Sequence, residues 1–97
     1  MNKMYVFYSD PGHAWIAVKI KELFELNIVD KISRYSYVKG STAYLEEDCD
    51  YHAFDKAYKE KYGFPPNYKV RSTDKRHPIR SYDKFVKAEV IEKNKKA

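Results

Sequence analysis

A small α+β domain in the order β-β-α-β-β-α-β, with a mainly antiparallel sheet and two short helices, is the fold this sequence predicts. Three observations carry it: a β-branched and aromatic run that stops at a Pro-Gly turn, two short alternating runs around Gly40-Ser41, and an aromatic row at helical spacing that ends at Gly63. Met4 to Tyr8 is the first run, and Asp10-Pro11-Gly12 is a turn that a strand does not continue through. Ala14 to Ile20 has strand composition and feeds a short helix in which Ile20, Leu23 and Phe24 share a face. A helix already starting near Ala14 is the alternative, because Trp15, Val18, Ile20 and Leu23 also fit a 3.6-residue period, imperfectly.

Ser33 to Lys39 and Thr42 to Glu46 flank Gly40-Ser41 as the arms of a hairpin. Acidic residues then precede a stretch in which Tyr51, Phe54, Tyr58 and Tyr62 fall on one side of a helix, closed by Gly63 and followed by Pro65-Pro66. Asn67 to Thr73 alternates as a last strand, ahead of a polar loop and a short segment around Tyr82 and Phe85. Strand order within the sheet does not follow from these signals.

With 97 residues there is room for one core, so residues 1–86 are expected to form a single domain and residues 87–97 a frayed, Lys-rich tail. Charged residues reach 34% and mean hydropathy is −0.78, which makes the core thin and favours burial of further surface in a homo-oligomer. No apolar run approaches the roughly 20 residues of a membrane span, and the N-terminus lacks a signal-peptide pattern, so a cytoplasmic protein without a membrane partner is expected. The single Cys49 excludes an internal disulfide framework, and His13, His52 and His77 are scattered, with no zinc-type pairing. No cofactor, metal or catalytic residue is therefore expected.

The net charge of +5 points to an anionic partner, and the basic segment from Lys69 to Tyr82 concentrates much of it. There Arg71, Arg76 and Arg80 alternate with Ser72 and Thr73 near Tyr82. Guanidinium forks match phosphate oxygens, hydroxyls add donors, and tyrosines offer stacking faces. A solvated charged loop is the plainer reading. Arg34, Tyr35 and Tyr37 on the hairpin extend the same surface, with both tyrosines on one side of a strand.

The turn Ser9-Asp10-Pro11-Gly12-His13 is read in two ways. One is a polar ligand loop with an exposed Gly12 amide; the other is turn chemistry alone, which accounts for Asp10, Pro11 and Gly12 but leaves His13 and Trp15 unexplained. For Glu46, Glu47, Asp48 and Asp50, helix capping outweighs a Mg²⁺ site shared with Asp10. Cys49, among acids, is expected to be a buried structural thiol.

The stretches YSDPGHAW, SRYSYVKGSTAYLEEDCD and RSTDKRHPIRSYDKF resemble a family of short proteins encoded by tailed bacteriophages, over nearly the whole span from Tyr5 to Phe85. The chain is also similar to small viral sponge proteins that counter cyclic-oligonucleotide defence (anti-CBASS). That similarity implies an immune-evasion protein acting in the infected bacterial cell, which binds a cyclic dinucleotide without cleaving it, as a homo-oligomer. The ligand set expected for a small anionic nucleotide is Ser9, Asp10, His13, Trp15, Arg34, Tyr35, Tyr37, Arg71, Thr73, Arg76, Arg80 and Tyr82, with Trp15, Tyr35 or Tyr37 as stackers; no nucleic-acid duplex is expected as partner. The alternatives are a protein-binding inhibitor of a host defence enzyme, and a small nuclease or phosphodiesterase using His13, His52 and the acidic cluster.

Overall fold

The computed structural model describes residues 3–94. They form an α+β fold in which six strands and three α-helices follow the order β1 (Met4–Ser9), β2 (Ala14–Lys19), α1 (Ile20–Glu25), β3 (Tyr37–Lys39), β4 (Thr42–Glu46), α2 (Tyr51–Tyr62), β5 (Asn67–Ser72), β6 (Asp83–Lys84) and α3 (Lys87–Asn94). Two 3₁₀ turns, Val29–Lys31 and Pro78–Ser81, sit between them.

The single sheet runs β5-β1-β2-β4-β3-β6. Every pairing is antiparallel except β1 with β5, so the sheet is mainly antiparallel, as expected. The parallel pair needs a crossover over one face, which the intervening α2 is long enough to provide. Ala14–Lys19 is a strand, and the helix begins only at Ile20, which settles the choice left open in the sequence.

Helix α2 buries Phe54 and Tyr58 and stops at Gly63, whose φ of 82° lets its N–H return to the Lys59 carbonyl at 2.9 Å. The core lies on one face of the sheet. Ile16, Val18, Ala43 and Leu45 meet Leu23, Ile28, Phe54 and Phe85 there, and Tyr5 packs edge-on to Phe54 at 5.1 Å. Tyr5 also donates to the buried Glu22, and burial together with that carboxylate raises its phenol well above the usual range.

Three expectations need correction. The segment 87–94 is not a frayed tail: it is α3, and its Val90 enters the core with Ile91 against it, an apolar pair one turn from the Lys-rich positions. Residues 95–97 lie outside the described residues. Ser33 to Ser36 is not part of the hairpin strand, because serine side chains compete for backbone-like partners. Ser33 donates its N–H and hydroxyl to Asp50 at 3.0 and 2.8 Å, and Ser36 donates its hydroxyl to the same carboxylate. Asp50, spent in this way, makes no side-chain cap on α2, and Glu46 accepts the N–H groups of Asp48 and Cys49 at 2.9 and 3.0 Å in the turn that precedes the helix.

Among the described residues the other face of the sheet carries no α-helix of the core. Its register aligns Tyr8 with Trp15, Trp15 with Glu46, Ala17 with Tyr44, and Tyr37 with both Tyr44 and Lys84. The segment after β5 returns over one end of this face. Ile79 and Trp15 are buried outside the main core cluster, and His77 and Arg80 approach the Trp15 ring at 6.2 and 5.8 Å. No helix among the described residues is long and apolar enough to cross a membrane.

Candidate functional site

Asp10 is the hub of this end of the molecule. Its Oδ1 accepts the N–H groups of Gly12 and His13 at 3.0 Å and Nη2 of Arg80 at 2.7 Å; its Oδ2 accepts the N–H of His77 at 3.0 Å and Nε of Arg80 at 2.7 Å. One carboxylate thus ties the β1–β2 turn to a segment almost seventy positions away in sequence. The Arg80 guanidinium, helped by the His77, Gly12 and His13 amides, holds the Asp10 carboxyl well below the usual carboxylate range against the opposing effect of burial. The Gly12 amide is turned inward, so the open-amide loop expected as one reading of this turn is not what forms. The turn-chemistry reading describes Asp10 and Gly12; His13 and Trp15 have a different place.

Both line a cleft of about 420 Å³ in which the first strand turn, the Ser33–Ser36 turn, the end of β4, the basic segment and β6 converge. Its cations are Arg76, Arg80 and Lys84, and its aromatic groups are Trp15, Tyr35 and Tyr37, with His13 at one side. Glu46 and Asp48 supply carboxylates. Arg80 spends its Nε–H and one Nη2–H on Asp10, which leaves three of the five guanidinium N–H groups unspent by that pair. Lys84 lies over the Tyr37 ring, 4.6 Å from its centre, and donates to the phenol oxygen at 3.3 Å. Tyr35 is 67% exposed and Trp15 only 2%, so Trp15 is a floor beneath Arg80 and not the stacking surface expected of it. A base can lie against the open Tyr35, or against the half-buried Tyr37, which has Lys84 over its ring and Trp15 edge-on at 6.3 Å.

The expected ligand set divides. His13, Trp15, Tyr35, Tyr37, Arg76 and Arg80 come together in the cleft, and Asp10 supports them from beneath. Ser9 does not join them, since its hydroxyl pairs with that of Ser72 at 2.9 Å on the other face of the sheet. Thr73 is occupied by the Lys75 N–H at 3.2 Å. Tyr82 packs on Tyr44 at 5.2 Å beneath Lys39, and neither Arg34 nor Arg71 lines the cleft; Arg71 sits on β5, the far edge strand. The three arginines therefore do not act as one phosphate cradle, because the chain turns between Arg71 and Arg76.

Lys84, Glu46, Asp48 and Cys49 are cleft residues that were not expected as ligands. The two-residue β6 leaves too short a pattern for Lys84 to be read from sequence. Cys49 is exposed, contrary to expectation, while desolvation and the Glu46 carboxylate raise its thiol, which disfavours the thiolate. Among the described residues no group of three or more His, Cys, Asp or Glu side chains is placed to hold a metal ion.

Gly12 matters for one close approach. A Cβ there would come within 2.9 Å of Arg80 Nη2, and the guanidinium has little room to yield because Asp10 holds it on two atoms. Gly12→Ala is expected to lower Tm by roughly 5–10 °C, the scale of a modest overpacking cost in a domain this small, as read by thermal melting. An unchanged Tm would mean that the clamp gives way freely.

Comparison of the chain with protein-family models, with curated proteins and with solved structures gives no match.

Proposed function

We propose that the cleft binds a small nucleotide and holds it without cleaving it, with phosphate on Arg80, Arg76 and Lys84 and a base on Tyr35 or Tyr37. The observation that carries this is Arg80, fixed by Asp10 in a fork and laid along Trp15, with unspent donors beside two further cations and exposed tyrosine. A donor fixed before the ligand arrives loses little conformational freedom on binding. Charge-assisted bonds to phosphate are the stronger kind, and a base on an aromatic ring adds about 1–3 kcal/mol.

The mixed lining refines the ligand. Glu46 and Asp48 oppose a bare polyanion but can accept from the amino groups of a base, so a compact nucleotide with one or two phosphates fits better than a polyphosphate. The cleft volume lies within the roughly 300–1,000 Å³ of ordinary small-ligand sites. In the setting implied by the resemblance to phage proteins, retention without chemistry serves to sequester a cyclic-nucleotide defence signal.

The test is equilibrium dialysis against a panel of cyclic and linear mono- and dinucleotides, followed by denaturation and chromatographic identification of the released ligand. Saturable binding with intact ligand is expected, and Arg76→Ala should weaken it roughly tenfold or more, the scale of a charged hydrogen bond. No binding of any panel member at millimolar concentration, or recovery of a cleaved product, would overturn the proposal.

A further inference from the structure

The open face of the sheet carries a second pattern, which meets the cleft at Tyr37 and Lys84 and runs away from it across the other strands. One row of its register crosses all six strands: Lys69, Val6, Ala17, Tyr44, Tyr37 and Lys84. Cations stand at both edges, with small apolar and tyrosine side chains between. Neighbouring positions of the same face add Arg71 beside Tyr8, and Lys19 and Lys39 on either side of Thr42. Lys19, Lys39, Lys69 and Arg71 are exposed, and none forms an ion pair with a carboxylate among the described residues. Among the strand positions of this face the one carboxylate is Glu46, at the cleft end. Tyr8, Tyr44 and Tyr82 form a partly exposed aromatic chain, with ring centres 6.2 and 5.2 Å apart. A depression of about 240 Å³ lies beside it, bordered by Met4, Val6, Ala17 and Lys19.

We infer that this face, carried by Lys19, Lys39, Lys69, Arg71 and the Tyr8–Tyr44–Tyr82 chain outside the two residues it shares with the cleft, is a docking surface for single-stranded nucleic acid. Cations without carboxylate partners flanking tyrosines on an open sheet face supply both elements that single strands use: phosphate neutralisation and sequence-tolerant stacking of unpaired bases. The row spans about 24 Å, from five gaps of about 4.8 Å between strands, which accommodates a few nucleotides. A second copy of this chain is a poor occupant, because two such faces would oppose like charges without carboxylates to offset them. An anionic bilayer is also disfavoured, since the rings lie tilted against one another, half-buried, and do not protrude as an apolar wedge.

The test is fluorescence anisotropy of a labelled mixed-sequence DNA 12-mer, single-stranded and as duplex, with the full chain over a range of salt. The single strand is expected to bind more tightly than the duplex, with affinity falling as salt rises. The double variant Lys19→Glu/Lys69→Glu should bind about tenfold or more weakly and flatten the log–log salt slope by about 1.4, from two lost contacts at about 0.7 each. Tyr44→Ala should weaken binding about tenfold and Tyr44→Phe should restore it, since stacking needs the ring and not the hydroxyl. Far-ultraviolet circular dichroism checks that the variants fold. The same charge-reversed protein should bind mononucleotide in the cleft like the parent, so failure of either reading shows separately. Equal oligonucleotide binding by parent and charge-reversed protein, tighter binding of duplex, or binding of phosphatidylserine vesicles but no oligonucleotide would each overturn the inference.

Discussion

Asp10→Asn is expected to lower Tm by roughly 10 °C or more, because it breaks a paired charge at the hub of the site in a domain where each increment of stability moves Tm strongly. Asparagine preserves the shape but turns an amide donor toward either Nε or Nη2 of Arg80, both of which are themselves donors at 2.7 Å from the present carboxylate. The β1–β2 turn and the Pro78–Ser81 turn then lose their common anchor, and the cleft loses its fixed guanidinium. Nucleotide binding should fall with stability even where the protein remains folded at low temperature.

The pH dependence follows with a definite sign. Arg80 holds the folded-state carboxyl of Asp10 well below its unfolded value of about 3.9, so the stabilisation is fully present above that value and is lost as pH falls through and below it. The Tm difference between the parent and Asp10→Asn should therefore be steady between pH 5 and 7 and shrink progressively below about pH 4. Scanning calorimetry at stepped pH reads this directly. A difference that stays constant down to pH 2 would show that the carboxylate charge is not what binds the two turns.

Asp50→Ala carries the second large effect. Asp50 is 2% exposed and accepts the Ser33 N–H, the Ser33 hydroxyl and the Ser36 hydroxyl, while Ser36 also accepts the Glu46 N–H at 3.0 Å. Truncation strands three donors, of which the Ser36 hydroxyl is wholly buried, and should cost about 3 kcal/mol or more. For a domain of this size that is a Tm loss of about 12 °C or more. The Ser33–Ser36 turn presents Tyr35 to the cleft, and Asp50 holds its Ser33 N–H while the Ser36 N–H bonds the Ser33 carbonyl, so amide hydrogen exchange at Ser33 and Ser36 should accelerate ahead of global unfolding. Uniform acceleration over the whole chain would instead assign Asp50 to the general core.

Local signals in the chain announced the elements that local physics governs. The aromatic spacing of Tyr51, Phe54 and Tyr58 with Gly63 beyond, and the Lys39–Thr42 turn, appear in the structure nearly as read. What stayed hidden was long-range. Nothing near Asp10 in sequence reveals that its partner is Arg80, and the acidic run around Asp50 looks like a helix cap until the Ser33–Ser36 turn folds back on it. The helix over Lys87–Asn94 does not show in the sequence because two apolar residues, Val90 and Ile91, are a weak signal among lysines, although they are enough to seat a helix on a core. The cleft was partly legible, since residue types suited to phosphate and base stood out, but only folding separates Arg71 and Tyr82 from Arg76 and Arg80.

The most direct measurement of the central proposal is a ¹H–¹⁵N titration of the folded protein with the nucleotide that dialysis shows to bind best. The Arg80 Nε–H, the Trp15 indole N–H and the Tyr35 amide should shift together and saturate on one curve, while the Val70 amide on the far edge strand stays still. Shifts centred on β5, or no saturable change at Arg80 and Trp15, would contradict nucleotide binding in the cleft.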